Sequence, residues 1–398
     1  VKLKRKYIIL LIFSLPLLIP LASYLMWEMK ANRPLKILIY DMTVPHIDRD
    51  EHNSLSWVLI HGKYTVFDQL NQPKLNYKGF FPLNNFKFVT KDFSKFSQEE
   101  VSQVADSLDM VYYTDTYGVY SNEWYGDSLI NERSSRIYGG LNNNDLLLLK
   151  RMKDSGKLML AEFNFLASPT SRALRTEAEK LLDVRWTGWV GRYYDPLDTL
   201  INNDIPIWAR KLYKKQYGKT WDFHQPGILF VHEDDRIVVL EMDNTLSEEV
   251  PWIYTSRYGQ EKYDLPEETT YPYWFDIMES GESNTVVSKY KIYTNPGGKK
   301  LLSDNGIPDV FPCVIENREK NYYYFAGDFC DNPVYVESAR FSGLPYFHKF
   351  FYDKYNYIDR TPFFWNFFRP MITHILDNYY DQLEKKRPPL AGAAMKSN

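Results

Sequence analysis

An α/β fold with a mostly parallel, open sheet and flanking helices, preceded by one N-terminal transmembrane helix, is what three features of this sequence predict. Apolar runs too short for helices recur at 35–40, 110–114 and 157–161, and each leads into a polar residue. Between them lie segments with helical spacing and capping residues, which gives a strand–helix–strand alternation. Ahead of both, residues 7–27 carry no charge. As a helix they span roughly 31 Å, the thickness of a bilayer's hydrocarbon core.

The elements follow in order. Residues 35–40 form a buried first strand ending at Asp41. Asn53 or Ser54 caps a helix through Tyr64, with Leu55, Val58 and Leu59 on one face. The stretch 72–85 contains Pro, Asn and Gly and reads as loop; 86–90 is a second strand and 97–107 a short helix. A third strand, 110–114, ends in Asp115 and opens a long polar and aromatic loop, 116–140. Asn143 or Asn144 caps a helix through Lys153, and Gly156 stops it. The fourth strand starts at Lys157 and runs out at Glu162, Phe163 and Asn164. Residues 171–182 are helical, 184–190 extended and 205–217 helical; 227–231 and 236–241 form a hairpin. Further strands fall at 286–293, 311–315 and 321–326, the last followed by Gly327 and Asp328. The hydrophilic stretch 243–283 reads as an insertion or long loop.

The resulting organisation is a basic cytoplasmic tip at 1–6, an anchor at 7–27, an α/β domain at 35–340, an aromatic helical segment at 341–386 and a disordered tail at 387–398. Lys2, Lys4, Arg5 and Lys6 all precede the apolar run, so the positive-inside rule puts the N-terminus in the cytoplasm and everything after Trp27 outside the cytoplasmic membrane. Tyr7, Tyr24 and Trp27 sit where rings favour the headgroup boundary, and Pro16 and Pro20 kink such a helix without forbidding it. A cleaved leader is the competing reading, although no small-x-small site stands out near Ala22 and Ser23. A net charge of −3 with no basic stripe argues against nucleic acid as a partner. Aromatics make up 17% of the chain, and that excess serves either an aromatic core or carbohydrate stacking. Cys313 and Cys330 are the two cysteines; they allow one disulfide and form no CxxC motif.

Ligands in open α/β sheets sit beyond the carboxyl ends of the strands. Asp41, Asp115 with Thr116, and Glu162 with Asn164 end three successive strands here. The following loops add His46, Asp48, His52, Tyr117, Tyr120, Arg133 and Ser168, and the segment 186–194 adds Trp189 as an aromatic wall and Arg192 as a cation. The expected pocket residues are Asp41, Asp115, Glu162, Asn164, Trp189 and Arg192. The carboxylates would accept hydroxyl hydrogen bonds, Trp189 would stack, and Arg192 would hold a polar or anionic group. No metal is expected: the acids and histidines at 46–52 lack HExxH spacing and precede a helix, where acids serve the macrodipole. No GxSxG, SxxK or Walker A motif occurs, and no cofactor is implied. Ser168 lacks the glycines of a nucleophile elbow and is expected to begin the next helix with Pro169.

The order of elements resembles the class I glutamine amidotransferase-like group of flavodoxin-type folds. The likeness rests on the opening strand 36–41, the strand 110–115 ending in an acid, the strand 158–164 followed by a helix, and the closing segment 322–328. It covers roughly residues 35–332. That group carries a cysteine nucleophile after the strand matching 158–163, and this chain has none there; His232-Glu233 lies in a hairpin turn rather than in the place of a downstream His-x-Glu pair. The resemblance therefore implies a binding or scaffold domain rather than glutamine hydrolysis. The expected function is non-catalytic binding of a saccharide or cell-envelope component, in contact with the cytoplasmic membrane and a membrane complex. The alternatives are an extracytoplasmic carbohydrate hydrolase using the strand-end acids, and a structural partner that docks through 363–368.

Overall fold

The computed structural model describes residues 18–46, 49–67, 73–126, 132–350, 352–353 and 356–386. Strand β1 (Ile37–Asp41) is buried along its whole length. To one side runs β2 (Asn76–Pro82), parallel to it, and then the antiparallel edge strand β3 (Phe88–Lys91). To the other side run β4 (Met110–Asp115) and β5 (Leu158–Ala161), which continue the parallel group. The chain then leaves this sheet through β6 (Val184–Tyr194), β7 (Gly227–His232) and β8 (Ile237–Glu241). It returns through β9 (Trp252–Thr255) and β10 (Glu268–Thr270), crosses back in β11 (Trp274–Ser280), and closes the large sheet with β12 (Thr285–Lys291), β13 (Val310–Asn317) and β14 (Tyr322–Phe325).

The large sheet thus has ten strands, ordered β10-β9-β12-β13-β14-β5-β4-β1-β2-β3. Its middle, from β2 to β14, is parallel, and from β14 outward the pairing is antiparallel. The expectation of a mostly parallel sheet therefore holds for the centre of the sheet and not for the wing. A second, four-stranded antiparallel sheet is ordered β8-β7-β6-β11. Leu38, Ile39, Val111, Tyr112 and Leu160 are all buried, as strands covered on both faces require.

The helices begin where capping chemistry allows. In α2 (Gln98–Ser107), Ser97 and Glu100 satisfy each other's backbone N–H groups. In α3 (Asn143–Asp154) the cap is Asn142, one residue before the expected pair; its side chain accepts from the N–H groups of Asn144 and Asp145. Ser171, not Ser168, caps α4 (Arg172–Leu182). Helix α1 (Asn53–His61) packs a nearly continuous buried run, including Leu55, Trp57 and Leu59.

Three further expectations are corrected. The stretch 72–85 is not loop, because it supplies β2. Its Asn, Gly and Pro conceal a strand whose Gly79, at φ 131°, lies so close to Asp41 that a Cβ would fall 1.5 Å from the Asp41 carbonyl oxygen. The stretch 243–283 is not a long loop: it holds β9, β10 and β11 and the helix Arg257–Tyr263. Residues 363–368 are not a docking surface. Phe363, Phe364, Trp365, Phe367 and Phe368 are buried, in and beside a π-helical turn that leads into the terminal helix Arg369–Lys386.

The N-terminal helix is described from Leu18 onward, and residues 1–17 of the expected span lie outside the described residues, as does the tail after Lys386. Among the described residues no helix is long and apolar enough to cross a membrane. Trp27, expected at the headgroup boundary, is enclosed by the domain: its indole donates to the Ile60 carbonyl at 3.2 Å and the Lys63 ammonium sits 4.7 Å from its ring.

Candidate functional site at the parallel edge

The parallel strands point their carboxyl ends the same way, so Asp41, Asp115, Glu162 and, after β14, Asp328 share one edge of the sheet. Asp41 stands directly across from Asp115 in the β1–β4 register. These acids divide into a floor and a mouth.

The floor is enclosed and takes most of its hydrogen bonds from within. Asp41 is fully buried and accepts from the Thr43 N–H at 2.8 Å, the Val44 N–H at 3.3 Å and the Arg49 guanidinium at 3.0 Å. Arg49 also donates to the Phe80 carbonyl and lies 4.4 Å from the centre of the Tyr77 ring. Glu162, also buried, accepts from the Tyr112 hydroxyl at 3.1 Å and from the amides of Phe329 and Cys330. Burial outweighs these bonds and pushes its carboxyl up to about 8. The Cys330 thiol donates to the same Tyr112 hydroxyl, and burial holds the thiol well above its ordinary value. Asp276 reaches in from β11. It accepts from the Asn164 N–H at 3.0 Å and the Tyr324 hydroxyl at 2.9 Å, and burial raises it to about 7.

The mouth is half-buried and mixed in character. Asp115 accepts from the Tyr117 N–H at 2.6 Å and from the Asn164 side-chain amide at 3.3 Å, and desolvation raises its carboxyl to about 7. Asn164 sits at φ 63°, a conformation asparagine tolerates, which turns the chain sharply after β5. Beside it, the Phe163 and Trp274 rings lie 5.7 Å apart, and the Arg192 guanidinium sits 4.9 Å from the Trp274 ring centre and 4.5 Å from that of Tyr194. Arg360 lies 3.6 Å from the centre of Tyr273, whose hydroxyl donates to Asp331 at 2.7 Å. The Asp328 N–H donates to the Trp274 carbonyl, and its carboxyl is raised well above the ordinary range, first by burial and then by the charge of Asp331. Three side-chain contacts, Asp115–Asn164, Phe163–Trp274 and Tyr273–Asp331, are joined to one another through neighbouring residues of the chain.

Of the six expected pocket residues, Asp115, Asn164 and Arg192 meet at this mouth. Asp41 and Glu162 lie at the same edge but are enclosed. Trp189 is placed elsewhere: it is 2% exposed, packs 4.8 Å from His232 and lies under Arg236 at 5.2 Å. Trp189 and Arg192 are three residues apart on one strand, so strand alternation sends them to opposite faces. Among the loop candidates, His46, Tyr117 and Ser168 are exposed, whereas His52 is buried and stacks on Tyr77 at 5.7 Å. Arg133 pairs with Asp235 at 2.7 Å over the Trp208 ring. Asp48 lies outside the described residues, and among the described residues no cluster of His, Cys, Asp and Glu could hold a metal ion.

Sequence reasoning missed Tyr273, Trp274, Asp276, Asp328, Asp331 and Arg360. Asp328 obeys the same strand-end rule as the other acids. The rest arrive from β11 and from the chain beyond β14, and no local pattern marks them. A groove of about 490 Å³, lined by Tyr254, Ser256, Val286, Lys289 and Tyr293, lies on the antiparallel wing, away from these acids.

No family model matches the chain, and neither does any curated protein. Similar solved structures include a ThuA-like protein from Bacteroides uniformis, at 13% identity and a TM-score of 0.31, covering 75% of this chain and 83% of that one. They also include a glutamine amidotransferase from Thermotoga maritima, at 8% identity and a TM-score of 0.37, covering 87% of this chain and 98% of that one. Likenesses this weak say nothing about activity.

Proposed function

We propose that this is a membrane-anchored, extracytoplasmic α/β domain that binds a saccharide of the cell envelope at the parallel-edge mouth without itself catalysing a reaction. One observation carries the reading. Two guanidinium groups, Arg192 and Arg360, lie on the half-buried rings of Tyr273 and Trp274, beside the carboxyl groups of Asp115 and Asp331 and the amide of Asn164. Rings to stack on, with donors and acceptors at their rim, are what a sugar's apolar face and hydroxyls need. The non-catalytic part is supported by the state of the other reactive groups: both thiols are buried and held protonated, and Asp41 is committed to Arg49. The test is binding of the intact chain to immobilised envelope glycans. Loss of binding in Trp274→Ala and Asp115→Asn is expected; unchanged binding in both rejects the site.

A second reading has one observation in its favour. Asp115, held up to about 7, would be partly protonated at neutral pH, as a general acid for glycosidic cleavage must be. Release of reducing ends from a bound glycan, lost in Asp115→Asn, would replace the binding-only account with this one.

A further inference from the structure

We propose that an exposed aromatic ledge beside the N-terminal helix is a second membrane contact that seats the domain on lipid. Tyr335, Tyr346 and Phe350 are each more than four-fifths exposed, and Phe347 is more than half exposed. Rings left this open mark an interaction surface. Their position argues for lipid as the occupant. The Ser23 hydroxyl accepts from the Gly343 N–H at 3.1 Å, the Ser23 carbonyl accepts from the Ser342 N–H at 3.3 Å, and Tyr24 packs edge-on against Phe341 at 6.4 Å. The ledge is thus tied to the helix at Ser23, four residues on the membrane side of the enclosed Trp27, which is about 6 Å further along the axis. The same helix exposes Leu18, Ile19, Leu21, Leu25 and Met26. Ledge and helix are thus two apolar surfaces joined at Ser23, and Lys349 between Phe347 and Phe350 supplies a cation for anionic headgroups.

A segment whose rings enter the headgroup layer by about 5–10 Å is the geometry of interfacial binding. Its consequence here is orientation: a domain held at both the helix and the ledge cannot swing freely on its anchor.

This inference rests on the reading of residues 7–27 as a membrane anchor, and the experiment separates the two. The full chain carrying Phe350→Cys, labelled with nitrobenzoxadiazole, is reconstituted into vesicles of phosphatidylethanolamine and phosphatidylglycerol; Leu200→Cys, at a 90% exposed position, serves as the comparison label. The native Cys313 and Cys330 are buried and remain unlabelled in the folded chain. The expected result is flotation of the chain with the vesicles, a blue-shifted emission at position 350 that acyl-chain spin labels quench, and a water-like emission at position 200. Flotation with a water-like emission at position 350 overturns the ledge and leaves the anchor standing. Failure to float with the vesicles overturns both.

Discussion

The floor and the mouth of the parallel edge are built from the same residue types and behave differently. In the floor, Asp41 is answered by Arg49 and two amides, and Glu162 by Tyr112 and the amides of Phe329 and Cys330. In the mouth, Asp115, Asn164, Arg192, Trp274, Tyr273 and Arg360 contact one another but remain half-buried. The comparison teaches that an acid at a strand end has two fates. Where a loop folds back over it, it fastens the loop; where the neighbouring element stands off, one face of it stays open.

Removing a floor acid should have the largest effect. Asp41→Ala strands the Arg49 guanidinium, 9% exposed, in the interior, and breaking a buried pair this way costs about 3–5 kcal/mol. Chemical denaturation should show that loss; a loss under about 1 kcal/mol would mean the floor is not fastened as described. Next comes the pH dependence. Glu162 is raised from 4.5 to about 8, so between those values the folded chain holds a proton that the unfolded chain has released, and stability falls as pH rises through the window. His61 and His348, lowered to about 4 by burial, act in the opposite sense below about 6.5. The acid effect is therefore cleanest from about pH 6.5 to 8. Glu162→Gln should flatten the fall of the melting temperature there, removing about 1–2 kcal/mol of the dependence. An unchanged slope would place the titrating groups elsewhere, with Asp115 and Asp276 the next to test.

Mouth substitutions should spare the fold and cost affinity. Arg192→Ala removes a guanidinium that rests on rings and on the exposed Asp204, and glycan affinity should fall about tenfold, or 1.4 kcal/mol, with little change in melting temperature. A large stability loss with unchanged affinity would move Arg192 to the structural side of the comparison. The smallest effect belongs to Asp204→Ala: its side chain is 70% exposed, so stability should change by less than about 0.5 kcal/mol and binding should persist. A tenfold loss of affinity there would show that Asp204, not the rings, positions Arg192.

Local signals carried most of the parallel half. β1, β4 and β5 are apolar runs ending in acids, and the Ser97 box, the asparagines before α3 and Gly156 mark helix ends within a residue or so. β2 was hidden because Gly79 and Pro82 read as turn residues, whereas Gly79 is there so that the backbone can approach Asp41. In the wing, β12 to β14 are legible as apolar strands, whereas β9 and the edge strand β10 are hidden because they are short and lie in a hydrophilic stretch. At the site, the strand-end rule brings Asp115 and Asn164 to one edge of the sheet, where they bond to each other. It could not separate enclosed acids from open ones, since that depends on Arg49, Tyr112 and Cys330, which lie up to 218 residues from their partners in sequence. Trp189 failed for a simpler reason, the two-residue period of the strand that also carries Arg192.

The most direct measurement is a calorimetric titration of the full chain with fragments of envelope polysaccharide, repeated for Trp274→Ala and for Asp41→Asn at a temperature where both remain folded. Binding that is lost in Trp274→Ala and kept in Asp41→Asn is the predicted result. No binding by the unmodified chain, or equal binding in Trp274→Ala, would contradict the assignment of the mouth as a saccharide site.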